Sequence, residues 1–258
     1  MAESPSPSNL DNQLTAQLTF SPAQRVYVTL AALSVAALLI ADIIGVKLFQ
    51  LDVSYWSGKK WTIVHTCGML PFPITFLITD LVNEYYGRKA ARRIVWLSLA
   101  MGLLVYVVVR VSLRMPHLDA PFNVDKDAFA QIFATSQVMY IASLIAYLVG
   151  NMCDIAMFGW IKRLTGGRMI WLRATGSTVV SQFIDSFIVT WVAFSVGRRY
   201  FGDPGGPSPM PFDEVLRTAA TGYVLKFVIG IGITPLIYLG RHIIRTRYGL
   251  VPLPASNA

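Results

Sequence analysis

From Val26 to Val46 the chain reads VYVTLAALSVAALLIADIIGV, a run whose only charged residue is Asp42. A stretch this long and this apolar, in the range of about 17–25 residues, crosses the hydrocarbon core of a bilayer as a helix. The pattern recurs. Six such stretches follow one another, at Arg25–Phe49, Trp61–Tyr85, Arg92–Arg114, Ser136–Ile161, Leu172–Gly197 and Val215–Ile243. They are too continuous for barrel strands, which alternate over roughly ten residues. The expected fold is therefore all-α, a polytopic integral membrane protein with six transmembrane helices. Composition agrees: only 14% of the 258 residues are charged, against about 25% in a soluble domain.

The net charge of +8 would by itself suit nucleic acid or an anionic membrane surface. The basic residues, however, stand in short loops between apolar runs, so a lipid bilayer is the expected partner and nucleic acid is not. Twelve of them, including Arg25, Arg88, Lys89, Arg92, Arg93 and Arg241, fall on one side of the six-span arrangement, and eight on the other. Short loops rich in Lys and Arg stay in the cytoplasm. That rule predicts cytoplasmic N and C termini, with loops 115–130 and 198–214 outside. Residues 1–24, polar and rich in Ser and Pro, read as a disordered cytoplasmic tail, 25–245 as the transmembrane domain and 246–258 as a C-terminal tail. The N-terminus has no basic start and does not read as a signal peptide.

Several chemistries find no support. Cys67 and Cys153 are far apart, with no CxxC or Cys/His spacing, so neither a disulfide nor a metal site is expected. No P-loop and no GxGxxG precedes a helix, which leaves no nucleotide site and no cofactor. His65, His117 and His242 are dispersed and no Gly-x-Ser-x-Gly occurs, so catalytic residues are not expected and the chain does not read as an enzyme.

The information lies in the polar residues within the spans, each costing about 2.5–3.5 kcal/mol at a helix centre. Span 1 carries Asp42 and Lys47, offset by about 140° on a helix and so suited to different partners; Lys47 could equally snorkel to the interface. Span 2 contains Pro71 and Pro73, which remove backbone donors and predict a broken helix at membrane depth, the kind that lines transport sites. Further along it come Asp80 and Glu84, one turn apart, then Gly87 and the basic run opened by Arg88. In span 4, Tyr147, Asn151, Asp154 and Phe158 follow at intervals of four, three and four, which puts them on one face. In span 5, Ser181, Gln182 and Asp185 form a second stripe, and span 6 adds Lys226. Span 3, without charge from Trp96 to Val109, reads as scaffold. A polar cavity inside the bundle follows, its ionisable walls drawn from spans 2, 4, 5 and 6.

Two stretches carry a resemblance. "FPITFLITDLVNEYYGRKAARRIVW" and "SLIAYLVGNMCDIAMFGWIKRL", with "STVVSQFIDSFIVTW" downstream, closely resemble the queuosine precursor transporters, also called the vitamin uptake transporter family. The likeness covers roughly residues 25–243. Its most specific parts are the Pro-rich span running into Asp-x-x-x-Glu-x-Tyr-Gly and the Gln-x-x-Asp of span 5. It implies import of 7-cyano- and 7-aminomethyl-7-deazaguanine across the bacterial cytoplasmic (inner) membrane, for salvage into tRNA, by a six-helix protein with no ATPase of its own. A guanine-like edge offers N1–H and an amine side by side to a carboxylate, for which Asp185 or Asp154 is the candidate acceptor. Gln182 or Asn151 could donate to O6, and Lys226 could bind the polar edge or balance charge. Phe72, Phe76, Tyr147, Phe158, Trp160 and Phe183 are candidates for stacking. Asp80 and Glu84, with Arg88 and with Asp42 and Lys47 of span 1, read as a gating and charge network. The alternative is a substrate-capture subunit of an energy-coupling-factor transporter, working with ATP-hydrolysing partners; an oligomer is also open.

Overall fold

A computed structural model describes residues 20–54, 60–133, 137–166, 169–201 and 208–254, and within these the side chains of 51–64 and a few others are not described. The expected N-terminal tail lies almost wholly outside the described residues.

The described residues are overwhelmingly helical, and among them five helical segments are long and apolar enough to cross a membrane. Helix α1, Pro22–Ile44, opens on a capping box: the Ser21 hydroxyl accepts from Gln24 N at 3.3 Å while Gln24 Oε1 accepts from Ser21 N at 2.9 Å. Two antiparallel strands follow, β1 (Leu48–Ser54) and β2 (Lys60–Thr66), in the register Leu48↔Thr66 to Ser54↔Lys60. After a 3-10 turn at Cys67–Met69 comes α2, Phe72–Arg114, and a short α3, Lys126–Phe133. Helix α4 covers Gln137–Leu164 and α5 covers Ile170–Thr190. A π-helical stretch, Trp191–Val196, leads into the short α6 (Gly197–Phe201), and α7 runs from Phe212 to Tyr248.

Helix α2 is two helices in one. Gly87 has φ 81° and ψ 173°, backbone that glycine adopts without steric cost, and there the chain doubles back. Before it, Gly68 packs against Ala41 and the Tyr86 hydroxyl donates to Ala23 O at 2.7 Å, so this half runs antiparallel to α1. After it, Tyr27 donates to Ala90 O at 3.2 Å and Ser34 meets Ser98 at 3.4 Å, so the second half runs parallel to α1. Helices α4 and α5 are likewise antiparallel, with Ser181 on Asp154 and Gly150 against Asp185.

The start of the second span departs from expectation. Residues 60–66 are strand, not helix, and α1 stops at Ile44 rather than Phe49. The segment Trp61-Thr-Ile-Val-His-Thr is rich in β-branched and aromatic residues, which suit a pleated surface. Pro71 and Pro73 do not break a helix; they open one, Pro71 as its cap and Pro73 in its first turn. Their missing N–H groups fall where a helix start would leave orphan donors anyway. Lys47, placed within a span by sequence, sits exposed at the entry to the hairpin, its carbonyl accepting from Cys67 N at 2.7 Å.

Packing is inverted relative to a soluble protein. Large apolar side chains such as Leu33, Ile40, Trp96, Leu104, Val107 and Val228 are about half exposed on the helix exteriors. Inside, Leu38, Ile78, Val82, Ile94, Leu144 and Ile155 form one apolar cluster, and beside them stand fully buried polar groups: Asp80, Asn83, Glu84, Asp154, Asp185 and Lys226. Lipid covers the first set, and the bundle hides the second. Past α7, Gly249 takes a left-handed cap conformation (φ 65°), and Leu253 N then donates to Glu84 O at 3.0 Å. The C-terminal segment thus lies across the Gly87 end of the bundle.

Candidate functional site

A cavity of about 580 Å³ opens at the end of the bundle away from Gly87, within the size range of small-molecule sites. Its walls come from α1, the hairpin, both halves of α2, α3, α4, α5 and α7. Each polar group on those walls is placed by a helix that had to carry it there.

On one wall Lys226 of α7 meets Asp185 of α5, Nζ to Oδ2 at 2.5 Å, with both side chains nearly fully buried. The ammonium also lies 5.0 Å from the centroid of the Phe72 ring, a cation–π distance. Asp185 Oδ1 and the neighbouring Ser186 hydroxyl are buried without a hydrogen-bond partner in this structure. Buried polar atoms normally have partners, so a cavity wall carrying two orphans is suited to a polar ligand. Gly150 packs closely here: a Cβ there would stand 3.2 Å from Asp185 Cβ, a tight contact.

On another wall Asp42 Oδ1 accepts from the Ser143 hydroxyl at 2.7 Å, with the Tyr140 hydroxyl alongside. Tyr140 stacks on Tyr106, centroids 5.8 Å apart, and both line the cavity. His65, on the strand that precedes the second helix, closes the space beside Gly222. Burial, and after it the Lys226 charge, push the imidazole down to about 4, and its Nδ1 accepts from Thr66 N at 2.9 Å. The ring is therefore neutral at pH 7, with Nε2–H as its donor.

From the cavity a line of polar contacts runs along the bundle toward Gly87. One turn from Asp185 on α5, Ser181 donates to Asp154 Oδ1 at 3.1 Å, with Ser177 and Asp80 close by. The helices that carry these acids are held in register on either side. Thr79 donates to Asn151 Oδ1 at 3.4 Å, and Asn83 Nδ2 to Ile155 O at 3.2 Å. At the far end Lys162 Nζ lies 2.9 Å from Glu84 Oε2, again with both side chains buried. A second, small cavity of about 30 Å³, lined by Asp80, Gln182, Phe76 and Thr178, adjoins this line. It has room for a water.

The residues singled out from sequence are thus distributed over three places. Asp185, Lys226 and Phe72 line the large cavity, and so does Asp42, which sequence grouped with the gate. Gln182, Phe76 and Asp80 line the small one. Asp154, Asn151 and Tyr147 are buried between the helices and line neither. Glu84 pairs with Lys162, and the guanidinium of Arg88 lies across Gly159, where a Cβ would collide with it. Lys47 faces outward at the opposite end. Of the other aromatics, Phe158 is buried in the apolar cluster around Leu81, and Trp160 and Phe183 face outward.

Sequence reasoning missed His65, Ser143, Tyr140 and Tyr106. For two of these the signal was present: Ser143 and Tyr140 extend the Tyr147–Asn151–Asp154 face backward by one and two turns. His65 had none, because nothing in a strand-forming run marks which end meets a cavity.

A family model described as "Putative vitamin uptake transporter" matches residues 66–240, most of the chain. The matched region holds Asp80, Asp154, Asp185 and Lys226, and begins after Asp42 and His65. The chain is 31% identical over 181 residues to a protein of Bacillus subtilis (strain 168) named "Probable queuosine precursor transporter", covering 69% of this chain and 72% of that one. It is 28% identical over 178 residues to a Haemophilus influenzae protein of the same name, 68% and 67% covered. A 134-residue match at 32% identity links it to the "Queuosine precursor transporter" of Escherichia coli (strain K12), with 50% and 55% covered. No solved structure matches the chain.

Proposed function

The chain belongs to the vitamin uptake transporter family, and from that premise we propose that it imports the 7-deazaguanine precursors of queuosine, with the Asp185–Lys226 wall as its recognition surface. The observation that carries this reading is the ion pair itself, buried yet lining a cavity of about 580 Å³. An ammonium beside a carboxylate presents a donor next to an acceptor. The guanine-like edge presents O6 next to N1–H and the exocyclic amine, which is the complement. Lys226 donates to O6, and Asp185, through the oxygen Lys226 leaves open, accepts from the ring N–H and the amine. Such charge-assisted bonds are about twice as strong as neutral ones. Phe72 lies against the same ammonium and supplies a flat face for the ring. Asp42, on the other wall, suits the positively charged substituent of the aminomethyl form.

Counted as two spans, the antiparallel halves of α2 support a reading of six crossings from the five helical segments among the described residues. The ends of α1, α2's first half and α7 that carry Arg25, Arg88 and Arg241 all gather at the Gly87 face. By the positive-inside rule that face is cytoplasmic, in a bacterial inner membrane, and the large cavity opens outward. The protein works as a transporter, not as an enzyme.

Equilibrium binding to the purified protein tests the substrate. Both deazaguanines should bind and compete, with guanine weaker, and Asp185→Asn should lose at least tenfold in affinity. Equal affinity for guanine and the deazaguanines, or an unaffected Asp185→Asn, contradicts the reading.

A further inference from the structure

The cyano and aminomethyl precursors differ in one place, the substituent on C7, and the Asp185–Lys226 wall does not read it. A nitrile only accepts hydrogen bonds; an aminomethyl group, charged at pH 7, only donates. With O6 on Lys226 and the N1–H and amine on Asp185, the substituent lies on the O6 edge of the ring, beyond Lys226 and away from Asp185. Lys226 is the deepest α7 residue on the cavity wall; the others, Thr218, Ala219, Thr221 and Gly222, all precede it. The substituent therefore runs outward along α7 toward Gly222, one helical turn from Lys226 on the same face.

What meets it there is His65. A Cβ at Gly222 would stand 3.0 Å from His65 Nε2 and 3.5 Å from Cδ2. That edge of the imidazole thus borders the notch that the missing side chain leaves in the cavity wall. On the other side of the ring, Nδ1 accepts from Thr66 N at 2.9 Å. A ring nitrogen that accepts has no proton, so the proton is on Nε2. The stretch that carries the ring is seated as well: a Cβ at Gly68 would meet Ala41 O at 2.5 Å and Gly45 Cα at 3.0 Å. This sets the end of β2 against the end of α1 that carries Asp42. One end of the cavity therefore offers a neutral donor, His65, and an anionic acceptor, Asp42, the complements of the two substituents.

We propose that His65 selects between the two precursors, its Nε2–H donating to the cyano nitrogen, an assignment that rests on the transport reading above. The donor favours the nitrile and offers nothing to an ammonium, which turns to Asp42 instead. Specificity is a difference between two affinities, and His65 acts on one of them only.

Two substitutions isolate the Nε2–H. His65→Phe and His65→Gln both lose the acceptor for Thr66 N, but the Gln amide still places an N–H donor where Nε2 stands. In equilibrium binding to the purified chain, His65→Phe should lose about three- to tenfold in affinity for 7-cyano-7-deazaguanine, the range of one neutral hydrogen bond. Its affinity for the aminomethyl form should hold, which also shows that the variant is folded. His65→Gln should recover most of the cyano affinity. The nitrile supplies a signature that a merely structural role would not move. In infrared difference spectra the C≡N stretch of the bound ligand should stand at the hydrogen-bonded position, above that of the ligand in aprotic solvent, in the wild type and in His65→Gln. In His65→Phe it should fall back. Equal losses for both ligands, Phe and Gln variants that bind alike, or a wild-type stretch at the aprotic position overturns the role of His65 and leaves the substrate reading standing. A wild-type chain that binds neither deazaguanine overturns the substrate reading, and the role of His65 with it.

Discussion

Lys226–Asp185 and Lys162–Glu84 are both buried lysine–carboxylate pairs, alike in chemistry and unlike in surroundings. At 2.5 and 2.9 Å both are close contacts between side chains exposed by less than a tenth. The first lies on the wall of a cavity, with one carboxylate oxygen lacking a partner. The second is sealed. Leu253 covers the backbone of Glu84, Lys162 also approaches the Glu84 carbonyl at 3.5 Å, and Arg88 lies across the neighbouring Gly159. A buried pair is a poor source of stability, since desolvation offsets much of the attraction, so neither is explained by stability alone. What differs is access. The pair that a ligand can reach suits recognition, and the pair that nothing can reach suits a closed gate.

Removing one partner of either pair leaves an unpaired buried charge, at a cost of about 3–5 kcal/mol. Lys226→Met and Lys162→Met should therefore lower thermal stability in detergent by similar amounts. They should part company in binding: Lys226→Met loses affinity for the deazaguanine by at least about tenfold, corresponding to 1.4 kcal/mol, while Lys162→Met keeps it and instead admits leak through the Gly87 end. If Lys162→Met were the one to lose binding, the contrast would be reversed and the site misplaced.

A smaller effect sharpens the cavity side. Asp42→Asn removes the negative charge but keeps an acceptor for Ser143. A hydrogen bond to a charged group contributes about 1.5–3 kcal/mol, so affinity for the aminomethyl form should fall about tenfold or more. Affinity for the neutral cyano form should barely change. Parallel losses for both ligands would show that Asp42 shapes the wall without reading the substituent.

The smallest effect belongs to the sealed side. Truncation after Tyr248 removes the Leu253 bond to Glu84, and one hydrogen bond is worth about 0.5–1.5 kcal/mol net. Thermal stability should drop slightly, and labelling of Asn83→Cys from the cytoplasmic face should rise in inside-out vesicles. Unchanged labelling would mean that the segment packs on the gate without closing it.

How much of this was legible beforehand depended on what kind of signal each residue sends. Asp185 and Lys226 announced themselves because a charge inside an apolar run has few permitted positions. The Tyr147–Asn151–Asp154 face was legible from spacing alone, and the turn at Gly87 from a glycine followed by a basic run. The hairpin was not, because a short apolar run such as Trp61–Thr66 fits helix or strand equally by periodicity. The prolines misled for the same reason: a proline at a helix start and one within a helix look identical until the start is located. The pairing of Glu84 with Lys162, 78 residues apart, and the meeting of Asp80 with Asp154 are tertiary facts that no local pattern encodes.

The account stands most directly on uptake of labelled 7-cyano-7-deazaguanine into liposomes containing this chain as the sole protein, wild type beside Asp185→Asn. It predicts saturable uptake by the wild type and its loss in the variant, with the variant still folded by thermal unfolding. Uptake by Asp185→Asn equal to wild type, or none by the wild-type chain until ATP-hydrolysing partner subunits are added, would contradict it.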